Sequence, residues 1–239
     1  MKDTEFRFGR RIEDVVEHSS WAWSYRASTA DAWDPEYQRW TWGGWGWGGD
    51  IPLVADLNHD GCDSHLMYRP RSGEWELAPA QKLMGPTLDK SQFPLPFAGR
   101  FLPNSVGDLA VWGQTISAFV IQSVTNGHRI EFRWGSGATI DVLVPADYDG
   151  DGYDEIALWN RMNQFWYRRR PPDGPITQFR FGTLTAVPVP FDYNHDGRVD
   201  PAYWEPKEEK IYVTFSDGRT VDRVIPVPPN AIPAFVNMF

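Results

Sequence analysis

The chain has 239 residues and a formal net charge of −9. That is enough length for a sizeable core, and the wrong sign for a duplex nucleic-acid binder, which neutralises phosphate with clustered Lys and Arg. Aromatics reach 15%, with 13 Trp, 21 Gly and 20 Pro, a mix that suits short strands and frequent turns. The single cysteine, Cys62, excludes an internal disulfide framework, and no apolar run approaches the length of a membrane span.

Residues 1–18 read as an N-terminal extension or edge strand. The start, M-K-D-T-E-F-R-F-G, lacks the apolar core of a secretory signal. The best helical spacing in the chain, at 11–17, is too short to matter, so the expectation is an all-β protein. Next, Y-R-A-S-T-A-D-A-W from Tyr25 matches Y-R-P-R-S-G-E-W from Tyr68, and W-T-W-G from Trp40 matches F-R-W-G from Phe132. These segments supply strands two, three and four of a unit whose first strand is missing. The stretch W-T-W-G-G-W-G-W-G-G-D carries Trp45 and Trp47, which have no counterparts elsewhere. Flat indole faces flanked by Gly could stack on a sugar ring, and packing between sheets is the alternative and the preferred reading. The G-x-G-x-x-G formally present at 44–49 is followed by a strand rather than a helix, so it is no dinucleotide fingerprint.

Three acidic loops follow, beginning at Asp56, Asp147 and Asp192, with starts 91 and 45 residues apart. The doubled gap predicts a hidden unit near residue 100, where P-F-A-G-R-F-L-P-N-S-V-G-D-L-A-V-W fits the frame with Arg100 in the place of the first Asp. Each unit of about 45 residues shows a Pro-containing strand, the loop, a second strand, a short turn, a third strand and a fourth. That is the pattern of a propeller blade. The expected boundaries are 19–44 joined to 232–239, then 45–90, 91–135, 136–182 and 183–231, making one five-bladed β-propeller over 19–239. In this reading the apolar C-terminal strand at 232–239 pairs with the N-terminal strands and closes the ring, removing exposed edges.

The loops have the chemistry of a calcium site. Ca²⁺ takes six to eight oxygens at about 2.3–2.6 Å. Side chains at loop positions 1, 3 and 5 converge when the chain curls, Gly at position 6 permits the turn that presents the position-7 carbonyl, and a carboxylate at position 9 closes the site. The 147 loop offers Asp147, Asp149, Asp151, the Tyr153 carbonyl and Glu155. The 192 loop offers Asp192, Asn194, Asp196, the Arg198 carbonyl and Asp200. The 56 loop offers Asp56, Asn58, Asp60 and the Cys62 carbonyl, with Asp63 substituting for the Ser64 that stands at position 9. An Asx-rich turn without metal is the alternative. About three structural Ca²⁺ ions are expected, and none in the second unit, where Arg100 supplies a fixed charge.

The runs G-G-D-I-P-L-V-A-D-L-N-H-D-G and I-D-V-L-V-P-A-D-Y-D-G-D-G-Y-D-E-I-A-L-W resemble the FG-GAP/VCBS repeats that build propellers in integrin α-chain heads and bacterial surface proteins. The resemblance implies calcium in the loops and binding work at the propeller surface. The expected function is non-catalytic recognition of a glycan or protein partner, in an extracellular or cell-surface setting, without nucleic acid or membrane insertion. A propeller-type polysaccharide lyase or hydrolase and a structural subunit of a surface or secretion assembly are the alternatives. No G-x-S-x-G, H-E-x-x-H or P-loop pattern occurs, and no catalytic residue is assigned.

Overall fold

The structure is a computed structural model and describes residues 15–18, 23–26, 33–34, 39–40, 42–45, 50–57, 64–77, 81–87, 94–137, 140–215 and 218–224. The chain divides into two compact units, 1–132 and 133–239. Among the described residues the secondary structure is all strand apart from one 3-10 turn at Gln114–Ile116.

In the first unit, β1 (Val15–His18), β2 (Trp23–Arg26), β3 (Trp33–Asp34), β4 (Arg39–Trp40) and β5 (Trp42–Trp45) come first. β2 lies between β1 and β5, while β3 and β4 form a separate two-stranded ladder. The position beside β2 that a third strand takes elsewhere is held here by β5, with Gly43 and Gly44 opposite Tyr25 and Ser24. Two full sheets follow. β6 (Ile51–Ala55), β7 (Ser64–Arg69), β8 (Glu74–Leu77) and β9 (Gln81–Leu83) make the first, in the antiparallel order β6-β7-β8-β9. β10 (Leu95–Gly99), β11 (Asp108–Gly113), β12 (Ala118–Ser123) and β13 (Arg129–Arg133) make the second in the same order, and β6 contacts β10.

The second unit holds two more sheets of that design. One is β14 (Asp141–Leu143), β15 (Ile156–Asn160), β16 (Phe165–Arg169) and β17 (Thr177–Arg180). The other is β18 (Val187–Pro188), β19 (Ala202–Glu205), β20 (Lys210–Thr214) and β21 (Thr220–Val224). First strands of these two sheets are shorter than expected because they give way to single bridges, Ala146 with Glu155 and Phe191 with Asp200, at the mouth of each acidic loop. The pairing of 232–239 with the N-terminal strands lies outside the described residues.

Two of the second strands are buried along their whole length: every residue of β11 and of β15 is buried. This explains why D-L-A-V-W-G and I-A-L-W-N read as near-continuous apolar runs rather than as alternation; both faces of such a strand are covered. Leu53, Leu57, Leu66, Tyr68, Trp75, Leu109, Val111 and Val120 form one core cluster in the first unit. Val144, Tyr148, Ala157, Trp159, Trp166, Ala186 and Tyr203 form one in the second. Cross-strand aromatic pairs recur in register, Tyr68 opposite Trp75, Trp112 opposite Phe119 and Trp159 opposite Trp166. The indole N–H groups of Trp75 and Trp166 donate to the carbonyls of Pro86 and Phe181, at 3.0 and 2.8 Å, so these large side chains are buried without losing a hydrogen bond.

Candidate metal centre

The 147–155 loop links β14 to β15. Gly150 and Gly152 adopt φ of +77° and +85°, left-handed values that Gly takes without steric cost. Two left-handed residues separated by one fold the loop so that the carboxylates of Asp147, Asp149, Asp151 and Glu155 converge. The Asp147 carboxylate accepts from the N–H groups of Gly150 (2.6 Å) and Gly152 (2.8 Å). Asp149 accepts from Asp151 N–H at 3.1 Å, and Asp151 from Tyr153 N–H at 2.9 Å. Each acid is therefore held by the backbone of the turn it helps to make.

Asp147, Asp149, Asp151 and Glu155 each bring one oxygen to within 4.8 Å of the others, the one such group of acidic, His or Cys side chains among the described residues. Oxygens on opposite sides of a Ca²⁺ ion stand roughly 4.6–5.2 Å apart, while Mg²⁺ with bonds of about 2.0–2.1 Å demands a tighter sphere. Glu155 is 6% exposed. Its Oε2 accepts the Tyr148 N–H at 2.9 Å, and its buried Oε1 has no hydrogen-bond partner. A buried carboxylate oxygen without a donor is costly unless a cation serves it. The residues present thus fit a calcium-sized ion.

The electrostatics point the same way. Burial pushes the Glu155 carboxyl up to about 7; the Tyr148 N–H opposes this, and the charges of Asp149 and Asp147 add to it. Asp147 is also raised, first by burial, against the pull of the Gly152 and Gly150 N–H groups. Four acids gathered in one loop repel one another, and a divalent cation between them removes that cost.

The 192–200 loop repeats the frame. His195 and Gly197 adopt φ of +60° and +86° at the places of Gly150 and Gly152. Asp192 accepts from Asp196 N–H (3.1 Å) and Gly197 N–H (3.0 Å), and Asp196 from Arg198 N–H (2.9 Å). Asn194 is turned within the loop, donating from Nδ2 to Asp196 Oδ2 at 2.9 Å and accepting from Asp196 N–H at 2.9 Å. Asp200 accepts from Tyr193 N–H at 3.0 Å, and burial pushes its carboxyl up to about 6. In the 56 loop, Asp56 and Ser64 are described, while Asn58, Asp60, Cys62 and Asp63 fall outside the described residues, as does Trp47. Trp45 is placed by its backbone alone, opposite Trp23.

The frame at 100–108, with Arg100, Leu102 and Asn104 at positions 1, 3 and 5, shows which parts of the loop are scaffold. Position 9 is Asp108, fully buried, and its Oδ2 accepts from the Phe101 and Leu102 N–H groups at 2.6 and 2.8 Å. Glu155 and Asp200 make the equivalent bond to position 2. The position-9 acid therefore ties the loop's start to the second strand whether or not an ion is involved. Arg100 donates from Nε to the Ser105 carbonyl at 3.2 Å, inside the same loop.

At the opposite end of the first and second strands lie polar ties that no loop motif announces. Asp50 pairs with Arg69 at 3.2 Å, Asn160 donates to Asp141 at 2.7 Å, and Thr185 donates to Glu205 at 2.7 Å. Their one shared signal is an Asp at the start of the first strand in two units, Asp50 just before β6 in D-I-P-L-V-A-D and Asp141 opening β14 in D-V-L-V-P-A-D.

Residues 147–201 match the FG-GAP-like repeat family. No curated protein matches the chain. Among solved structures, virginiamycin B lyase from Staphylococcus aureus is similar at a TM-score of 0.54 and 14% identity, covering 89% of this chain and 66% of that one. A catalytically inactive variant of the same lyase with quinupristin gives 0.55 and 13%, covering 87% and 64%. A protein of unknown function from Bacteroides caccae gives 0.53 and 11%, covering 86% and 70%. The chain thus spans just under two thirds of the lyase, and at these identities the likeness is one of fold, the propeller-like all-β architecture.

Proposed function

We propose that the chain is a calcium-stabilised β-propeller that acts as a non-catalytic binding module for a glycan or protein partner. The observation that carries the calcium half is the convergence of Asp147, Asp149, Asp151 and Glu155, with the donorless Glu155 Oε1 among them. Calcium at the 192 and 56 loops as well, five blades, and closure through 232–239 complete this reading. Its support is the spacing of the loop starts and the recurrence of one four-stranded design. A loop that keeps two of its ligands, Asp149 and Asp151, at the exposed surface suits the millimolar calcium of extracellular fluid, where such modules bind at about 10⁻⁴–10⁻³ M. Recognition is assigned to the surface because the loop acids are held as fasteners, each bonded to its own backbone.

An enzymatic reading has one specific observation in its favour, the likeness to virginiamycin B lyase. The two readings are separated by two assays on the same preparation. A glycan array run with calcium and with chelator returns calcium-dependent hits for a binding module. Incubation with virginiamycin B, quinupristin or polysaccharides, followed for loss of substrate, new reducing ends or unsaturation, returns turnover for an enzyme. Turnover without retained ligand overturns the binding reading.

A further inference from the structure

We propose that Arg170 is a resident cation that competes with calcium for the 147–155 loop and sets this loop's affinity below that of a loop without such a guard. The inference rests on reading the loop as a calcium site. Residue 170 follows β16, whose last residue, Arg169, lies opposite Ile156 at the start of β15. This register brings the next side chain over the acidic loop. Arg170 Nη2 stands 2.5 Å from both Oδ1 and Oδ2 of Asp151, and its guanidinium lies over the Tyr153 ring, 4.8 Å from the centroid. Tyr153 therefore seats the guanidinium from below while its own N–H donates to Asp151 Oδ1.

Asp151 is the ligand at position 5, and both its oxygens are engaged by one donor group. An incoming cation must share or displace that donor, and it meets a fixed positive charge in doing so. The exchange is open to solvent, because the side chains of Arg170 and Asp151 are 38% and 46% exposed. The other described acidic loop supplies an internal comparison. In the following sheet the position matching Arg170 is Phe215, and Asp196 Oδ2 is held by the neutral Asn194 Nδ2. Two loops of one design thus differ in whether an arginine is bound to the position-5 acid.

The test is calcium titration of the full chain by calorimetry in low salt. The heat component lost in Asp147→Asn belongs to this loop. In Arg170→Gln that component tightens about three- to tenfold, and the gain narrows when salt is raised to about 0.5 M. Arg170→Lys stays within about twofold of the parent because the charge is kept. Tyr153→Leu, which removes the seat beneath the guanidinium, shifts affinity in the same direction as Arg170→Gln by a smaller factor. An unchanged affinity in Arg170→Gln overturns the proposal. So does a weaker one, which makes Arg170 a residue that positions Asp151 for the ion. If Asp147→Asn removes no component from the parent titration, the calcium reading itself fails, a result distinct from either.

Discussion

Glu155 and Asp108 stand at the same loop position, and their comparison separates anchoring from ligation. Both accept a backbone N–H from position 2, Glu155 from Tyr148 and Asp108 from Phe101. Only Glu155 stands among other acids. Glu155→Gln keeps an oxygen for Tyr148 and removes a charge that burial disfavours, so it abolishes calcium binding at its loop while leaving stability in chelator equal or higher. Asp108→Ala strands two buried N–H groups and costs about 2–4 kcal/mol with or without calcium. Urea unfolding in the two conditions checks both. Protonation offers a third reading of the same groups. Glu155 is raised from 4.5 to about 7 and Asp200 from 3.8 to about 6, so between those values the folded chain holds more protons than the unfolded one. Stability in chelator therefore falls as pH rises from about 4 through about 7. Melting curves taken in chelator across that range give the slope, and calcium flattens it. The loop acids were legible in the chain because their one-three-five spacing is local. Arg170 was not, since its contact with Asp151 spans nineteen residues and depends on strand register.

Second strands are the elements that hold each sheet. β11 and β15 are fully buried, and Trp159 is packed among Tyr148, Trp166 and Tyr203. Trp159→Ala removes the largest side chain of β15 and costs about 3–5 kcal/mol, read as a lower denaturation midpoint. Among the described glycines, Gly107 leaves the least room for a side chain. A Cβ there would stand 2.3 Å from the Leu57 carbonyl oxygen, and backbone yields poorly, so Gly107→Ala destabilises by about 2–3 kcal/mol. Strand cores and turns were legible from apolar runs and Gly-rich breaks. The ties at the far strand ends were not, because Asp50, Asp141 and Thr185 find partners of three different kinds, Arg69, Asn160 and Glu205. The Asp repeats in two of the units, but its partner never does. The N-terminal sheet escaped for a related reason: Trp40 and Trp42 match a fourth-strand motif in sequence, yet they sit in two different strands, β4 and β5.

For the whole molecule, each occupied loop adds its binding free energy to folding. Calcium at about a hundredfold above the dissociation constant stabilises by about 2.7 kcal/mol per site, or about 5–11 °C in a chain of this size. Removal of calcium by chelator lowers the melting temperature by that amount times the number of occupied loops, so the size of the shift counts the sites. Elemental analysis of the dialysed protein gives the same count independently.

The carbonyl of Asp147 accepts the N–H of Val199 at 2.8 Å, and the Arg198 side chain runs alongside so closely that a Cβ on Gly150 would meet its Cγ at 2.7 Å. Val199 belongs to the 192–200 loop, so one loop's first residue is fastened to the other loop's eighth. An ion that immobilises Asp147 also lengthens the life of that bond. Amide exchange at Val199 then slows when the 147–155 loop is filled, even in a variant whose own loop has lost Asp192 and Asp196. A single backbone proton thereby becomes a spy on its neighbour, reporting occupancy from a loop it does not belong to.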